Sequence, residues 1–549
     1  MDTGIHVLIN FFSTILLAGS NYCMQILSAP KREQIDGAHR ESRWVEVGVQ
    51  SVRNVFRAIS SGNALLWILL SLSSLPLHLS YNSAIFTSIS INEYSVTVVP
   101  SSFITLHDRS ALPAEFRTPR LTALHDAALS GRLVRLDHDA CLDAYAANFQ
   151  SSYSDLLLVT PDPHADEPMS SPIQHQAFAF QDGCGIRQSY QWMCSQQEDE
   201  VFAFECYALP TEERCRLLFS PTLRWAVTGL NLVKGVLMLA TALRSGEGQQ
   251  GLVLTVGDAV VSFTRVPDEA TVDMCLASKD EVEKGTKTGR WSREPRTVDT
   301  WHRLKFAAAN PSRWAVCVVF KTVMQLDQMG DGFNNLLGNI IIANSPQAIA
   351  SMLYFIYNGL FTAISLATEW DTCASHRKGL RVSSTPVGAQ RTAYFLQLPF
   401  QYSLPLLAIS GVLHWLISQS IFLIFVEVYR DWVPDSGAGA GADRDGGVPV
   451  LDYTTCGWSP AGLVSVIVVG IAMIVFLLAS GARRLSPYMP VAGSRSAAIA
   501  AACHLVPYKK MACEEPLQLG ATIHEGDGRG LCSFSSGEAE PPIQGMMYR

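Results

Sequence analysis

Lys234 lies midway along the apolar run "WAVTGLNLVKGVLMLATAL", with Asn231 one turn before it. Holding an ammonium group in lipid costs on the order of 3 kcal/mol even on lenient insertion scales, so an intramembrane lysine suggests an ion or substrate pathway. His414 and Ser418 stand four apart in "LHWLISQS", which puts them on one face of a helix with Gln419 beside them. Together with Lys234 these groups could line a polar seam. The same residue types also join transmembrane helices through hydrogen bonds, and that packing role is the plainer reading of both sets.

Other chemistry is weakly marked. The cluster Asp137, His138, Asp139 and Asp143 has metal-ligating types, but on a helix its members do not share one face. Cys503, His504, Cys513, His524 and Cys532 are spaced unlike any zinc module. The chain lacks H-E-x-x-H, a P-loop, G-x-S-x-G and paired C-x-x-C motifs. No catalytic residue, cofactor or metal is therefore expected, and enzyme activity is the weaker class. Cys373, close after an apolar run, is a chemically reasonable acylation site.

The elements that must position these groups follow from charge. The chain has 549 residues and only 16% charged ones. No formally charged residue occurs from Ala58 to Asn92, Gly332 to Thr368, Thr392 to Val426 or Tyr453 to Ala482. A bilayer core about 30 Å thick needs roughly 20 apolar helical residues, so each window holds a full crossing. Six spans are expected: Ile5 to Leu27, Ala64 to Ser88, Trp225 to Leu243, Gln347 to Thr368, Tyr402 to Val426 and Gly462 to Ala482. The net charge of −8, with no basic stripe apart from the membrane flanks, disfavours nucleic acid as a partner. The bilayer is the one partner the sequence names; it identifies no ligand and no protein partner.

Lys and Arg mark cytosolic loops. They number six between the first two spans, eleven over residues 244–313, four in "DTCASHRKGLRVSSTPVGAQR" and seven in the tail. All four regions face the cytosol only if the chain crosses once more between residues 314 and 346. Trp314 to Leu326 would supply a helix of about 20 Å, interrupted by Lys321. A hairpin is the alternative, with Phe333 to Ala343 rising, "NSP" at 344–346 as the turn and Gln347 to Thr368 returning.

The expected fold is an α-helical polytopic membrane protein of about six or seven spans with an extracytoplasmic α+β domain. Residues 1–90 hold two spans and a basic loop, 91–223 the outer domain, and 224–313 the third span with a charged cytosolic loop. A shortened fourth span follows at 314–346, then three spans at 347–482 and a mostly disordered cytosolic tail at 483–549. In the outer domain "LTALHDAALSGRLVRLDHDACLDAYAANF" has helical spacing, while "YSVTVV", "DLLLVT", "AFAF" and "EVFAFECYAL" read as strands. Cys141, Cys184, Cys194, Cys206, Cys215 and Cys456 fall on the oxidising side, an even number compatible with three disulfides of unassigned pairing.

Blocks in chain order carry a family resemblance. "NFFSTILLAGSNYCMQILSAPKRE", "SLSSLPLHLSYNSAIF", "NLVKG", "TVGDAVVSF", "NSPQAIASMLYFIYNGLFT", "LHWLISQSIFL", "TTCGWSP" and "AGSRSAAIAAACH" resemble fungal multi-pass membrane proteins of domain of unknown function 6536. The resemblance implies eight crossings, with one span upstream of this chain's first and a full span where this chain has "WAVCVVF". It implies no activity. Two function classes stand open: a surface sensor, receptor or organising protein of the plasma membrane or another secretory-pathway membrane, and a transporter or channel using Lys234 and His414.

Overall fold

The computed structural model describes residues 2–548 apart from 161–172, 178–204, 316–335, 431–447, 505–511 and shorter breaks. Six described helices are long and apolar enough to cross a bilayer. They are α1 (Asp2–Ser28), α2 (Ser61–Ser80), α3 (Pro221–Gly248), α4 (Leu336–Ser375), α5 (Phe400–Ser420) and α6 (Pro460–Gly481). Leu232, Leu239, Leu243, Val468 and Ile471 are among the large apolar side chains left exposed along them, as lipid-facing positions would be.

Two expected spans end early. The fifth stops at Ser420 and the second at Ser80, because the residues that follow are β-branched and aromatic and find strand partners. β1 (Ile85–Asn92) pairs in parallel with β8 (Ile421–Arg430), with Ile89 opposite Val426. β8 pairs antiparallel with β9 (Val448–Trp458), and β1 with β7 (Cys215–Phe219), giving a sheet ordered β9-β8-β1-β7. The outer unit therefore takes two strands from residues 421–458, well beyond the stretch 91–223.

A second sheet completes it, from β2 (Tyr94–Pro100), β3 (Val134–Leu136), β4 (Tyr153–Thr160), β5 (Ile173–Ala177) and β6 (Glu205–Pro210), ordered β3-β6-β4-β2-β5. Buried Val96, Leu156 and Ala208 pack with Tyr94 and Tyr145 on one side, and Val99, Leu157, Phe103 and Phe116 on the other. The long helix expected over 121–149 divides into Pro119–Leu129 and His138–Tyr145 around β3, with Gly131 at φ +68° making the turn. "AFAF" lies mostly outside the described residues.

The alternative, a hairpin turning at "NSP", is not formed. α4 runs unbroken for 40 residues through Pro346, about 60 Å at 1.5 Å per residue. Pro346 cannot donate to the Ile342 carbonyl one turn back, and the Ser345 hydroxyl donates to it instead at 3.1 Å. The helix therefore passes a residue that reads as a turn.

At the opposite end of the bundle four separated segments form one inner domain. Its core joins Trp44 and Val47, Val256 and Phe263, Leu366 and Trp370, and Ala498, Leu517 and Phe534. The tail is thus folded: Ser496–Ala501 is a fully buried helix, and β10 (Gln518–His524) pairs with β11 (Arg529–Ser535). Its Gly, Ser and Pro content suggested disorder, but small buried residues, Ala497, Ala498, Ala500 and Ala501 among them, allow close packing there. Cys373 is buried in the same core, which removes it as an acylation site.

Candidate functional site

The polar residues of the spans meet inside the bundle. Lys234 of α3 is 2% exposed, and its ammonium donates to Ser74 Oγ of α2. One turn on, His78 of α2 stacks on His414 of α5 with ring centroids 5.6 Å apart. Ser351 Oγ of α4 sits between them, 3.0 Å from His78 Nε2 and 3.4 Å from His414 Nε2. Asn231 Nδ2 donates to Tyr81 OH at 2.8 Å, and its buried Oδ1 has no hydrogen-bond partner among the described residues. Ser418 Oγ accepts from Asn10 Nδ2 at 3.3 Å, and that same amide reaches Asn82 Oδ1 at 3.2 Å.

The spacing explains the convergence. His6, Asn10 and Thr14 lie four apart on α1, Ser74 and His78 on α2, Gln347 and Ser351 on α4, and His414 and Ser418 on α5. Four-residue spacing stacks side chains on one face, so each helix turns a polar stripe inward. Only the α5 stripe and Lys234 with Asn231 were singled out from sequence; "HVLIN", "SLPLH" and "SPQAIAS" hold the same signal in neutral residues. At the outer end the stripe opens into a cavity of about 110 Å³ lined by His6, Asn82, Ser83, Asn344, Ser418 and Phe422 among others. Asn344 Nδ2 donates across it to Ser83 Oγ at 2.6 Å.

Each of the six long apolar helices has one end at each domain. α1, α3, α4 and α6 run from the outer to the inner end, and α2 and α5 run back. Asn339, near the start of α4, donates to the Thr454 carbonyl of β9 at 2.7 Å, whereas Trp370 near its end donates to the Pro490 carbonyl at 3.2 Å. Trp314 packs at the inner end against Phe306, beside Gly481.

A second polar cluster lies in the inner domain. His39 Nδ1 stands 2.5 Å from Asp268 Oδ2, and Nε2 stands 2.8 Å from Ser496 Oγ. The order Ser–His–Asp is that of a nucleophilic triad, but Ser496 is 0% exposed and its Oγ accepts the Val45 N–H at 3.0 Å. A substrate carbonyl has no approach to a hydroxyl so enclosed, and the cluster serves as an internal clamp. Burial pushes the Asp268 carboxyl up, but the bond and charge of His39 pull harder and hold it below the ordinary aspartate value. Next to it Arg495 bridges Glu46 at 2.8 Å and also Glu283, while Arg313 reaches Glu46 at 3.2 Å.

Among the expected disulfide cysteines, Cys141 and Cys206 are bonded to each other. Cys456 is a free, half-buried thiol whose Sγ donates to the Asn339 carbonyl at 3.4 Å, so it does not reach across to the main outer sheet. Cys184 and Cys194 lie outside the described residues, and Cys215 opens β7. Asp137 is a cap: its Oδ1 accepts the Ala140 N–H at 2.7 Å. Among the described residues no group of three His, Cys, Asp or Glu side chains is disposed to hold a metal.

Six crossing helices around a polar seam, an open-sheet outer domain and a folded inner domain define a polytopic helical integral membrane protein with α+β content. Residues 1–88 match the family of unknown function DUF6536, and residues 319–535 match the domain of unknown function DUF8419. The early sequence blocks fall in the first match, and the blocks from "NSPQAIAS" onward in the second. No curated protein and no solved structure matches the chain.

Proposed function

We propose that the protein is a surface sensor or receptor with seven passages through the plasma membrane or another secretory-pathway membrane, its outer domain outside and its inner domain in the cytosol. The observation that carries the reading is α4, one continuous helix bonded to the outer sheet through Asn339 and built into the inner core through Leu366 and Trp370. A rigid element seated in both domains lets a change in one bias the other. A seventh passage is supported by direction: α3 delivers the chain to the inner end, and α4 starts again at the outer end. An oxidising outer compartment is supported by the Cys141–Cys206 bond.

The test is hydrogen exchange on the full-length protein in nanodiscs. Asn339→Ala should raise exchange in β9 and also, at a distance, in residues 366–373. A change confined to β9 would sink the relay. The polar seam and its outer cavity favour a second reading, transport of a proton or small cation. Proton uptake by proteoliposomes that is lost in a folded Lys234→Ala variant would replace the sensor with a transporter.

A further inference from the structure

At the inner ends of α1, α2 and α3 lies a cleft of about 180 Å³ whose lining includes Ile26, Leu27, Lys31, Asn63, Arg244 and Leu252. Three features converge on it. First, Lys31 and Arg244 come from different elements and bring two positive charges, and among the described residues no acidic side chain lines the cleft. Second, the guanidinium is held in place: Arg244 Nε donates to Asn63 Oδ1 at 2.9 Å, and Nη2 passes so close over Gly62 that a Cβ there would lie 2.7 Å from it. Third, Ile26 and Leu27 of the last turn of α1, with Ala29 and Leu252, give the cleft an apolar wall.

The level of the cleft identifies its surroundings. Ile26 and Leu27 end one crossing helix, Asn63 begins the next and Arg244 ends a third, so the cleft opens where acyl chains give way to headgroups. The adjacent helix Val52–Arg57 buries Val55 against Cys23 and Leu27 yet leaves Phe56 69% exposed beside Arg57, the pattern of a segment lying at the interface.

We propose that this cleft seats the phosphate-bearing headgroup of one anionic phospholipid of the inner leaflet, with Arg244 and Lys31 on the phosphate and Ile26, Leu27 and Leu252 against the glycerol and first acyl carbons. Basic pockets between transmembrane helices on the cytosolic side bind such headgroups, and each cation contributes about 1 kcal/mol, roughly a fivefold change in affinity.

The full-length protein, purified in neutral detergent, is titrated with phosphatidylserine, phosphatidylcholine or inorganic phosphate, and bound lipid is counted by native mass spectrometry. One phosphatidylserine per chain should be retained, several-fold more tightly than phosphatidylcholine and less tightly as salt rises. Lys31→Gln, at an exposed position, should weaken it about fivefold with the fold intact. Arg244→Lys should retain much of the binding that Arg244→Gln loses, and Gly62→Ala, which displaces the guanidinium while keeping its charge, should weaken it too. Equal retention of the two lipids, or undiminished retention in Lys31→Gln and Arg244→Gln, would overturn the proposal. Phosphate competing at the affinity of the lipid would overturn the lipid as its source.

Discussion

Arg495 Nη1 and Glu46 Oε1 stand 2.8 Å apart in the buried heart of the inner domain, joining segments 449 residues apart in sequence. Arg313 adds a third segment to the same carboxylate. Residues following α1, α3 and α6 therefore share one side of the bundle, and the direction of every crossing depends on this.

Glu46→Gln should destabilise the inner domain by on the order of 3 kcal/mol at neutral pH, since it leaves Arg495 with Glu283 alone. Burial pushes the Glu46 carboxyl up, but Arg313 and Arg495 outweigh it, so the folded value lies below the ordinary 4.5. A carboxyl depressed on folding contributes stability above its unfolded value and loses it as pH falls through the folded one. Asp268 acts in the same sense, and Asp258, raised by burial, in the opposite one. Thermal unfolding followed from pH 7 to 3 should fall steeply in the wild type below about pH 4.5 and less steeply in Glu46→Gln.

His39→Ala removes the 2.5 Å partner of the buried Asp268 carboxylate, leaving it the Ala270 N–H, and should cost about 2–4 kcal/mol. Ser496→Ala should cost about 1 kcal/mol. Because Ser496 is sealed, a fluorophosphonate probe should leave the native protein unlabelled; labelling of Ser496 in the folded state would restore a nucleophilic reading.

Reducing Cys141–Cys206, or replacing Cys141 with Ser, should destabilise the outer domain by about 2–4 kcal/mol, the bond closing a loop of 65 residues in sequence separation. Cys456 should alkylate slowly without prior reduction, as a half-buried free thiol. Mass spectrometry of peptides after alkylation with and without reductant reads both.

Ser345→Ala leaves the Ile342 carbonyl without its donor beneath Pro346 and should destabilise α4 by about 1 kcal/mol. Ser345→Thr should be neutral. Denaturation in mixed micelles measures the difference.

The spans were legible because lipid imposes a local rule: a run without charge, long enough to cross. Their ends were not, because the choice between helix and strand at Ile85 and Ile421 was settled by pairing between β1 and β8, far apart in sequence. The tail misled for a related reason. Its buried residues are mostly Ala, Ser and Cys, which signal little until Trp44, Val256 and Trp370 arrive from other segments to cover them. Lys234 stood out by its charge and His414 by its spacing from Ser418, whereas their partners Ser74, His78 and Ser351 lie in runs with no formal charge to mark them.

The most direct test of the account is side-specific labelling of cysteines introduced one at a time at exposed Ser130, Ser384 and Glu538, with Cys184, Cys194, Cys215 and Cys456 all replaced by Ser, using an impermeant maleimide on intact cells. The account predicts that Ser130→Cys reacts at once, while Ser384→Cys and Glu538→Cys react only after permeabilisation. Reaction of Ser384→Cys or Glu538→Cys from outside would contradict it.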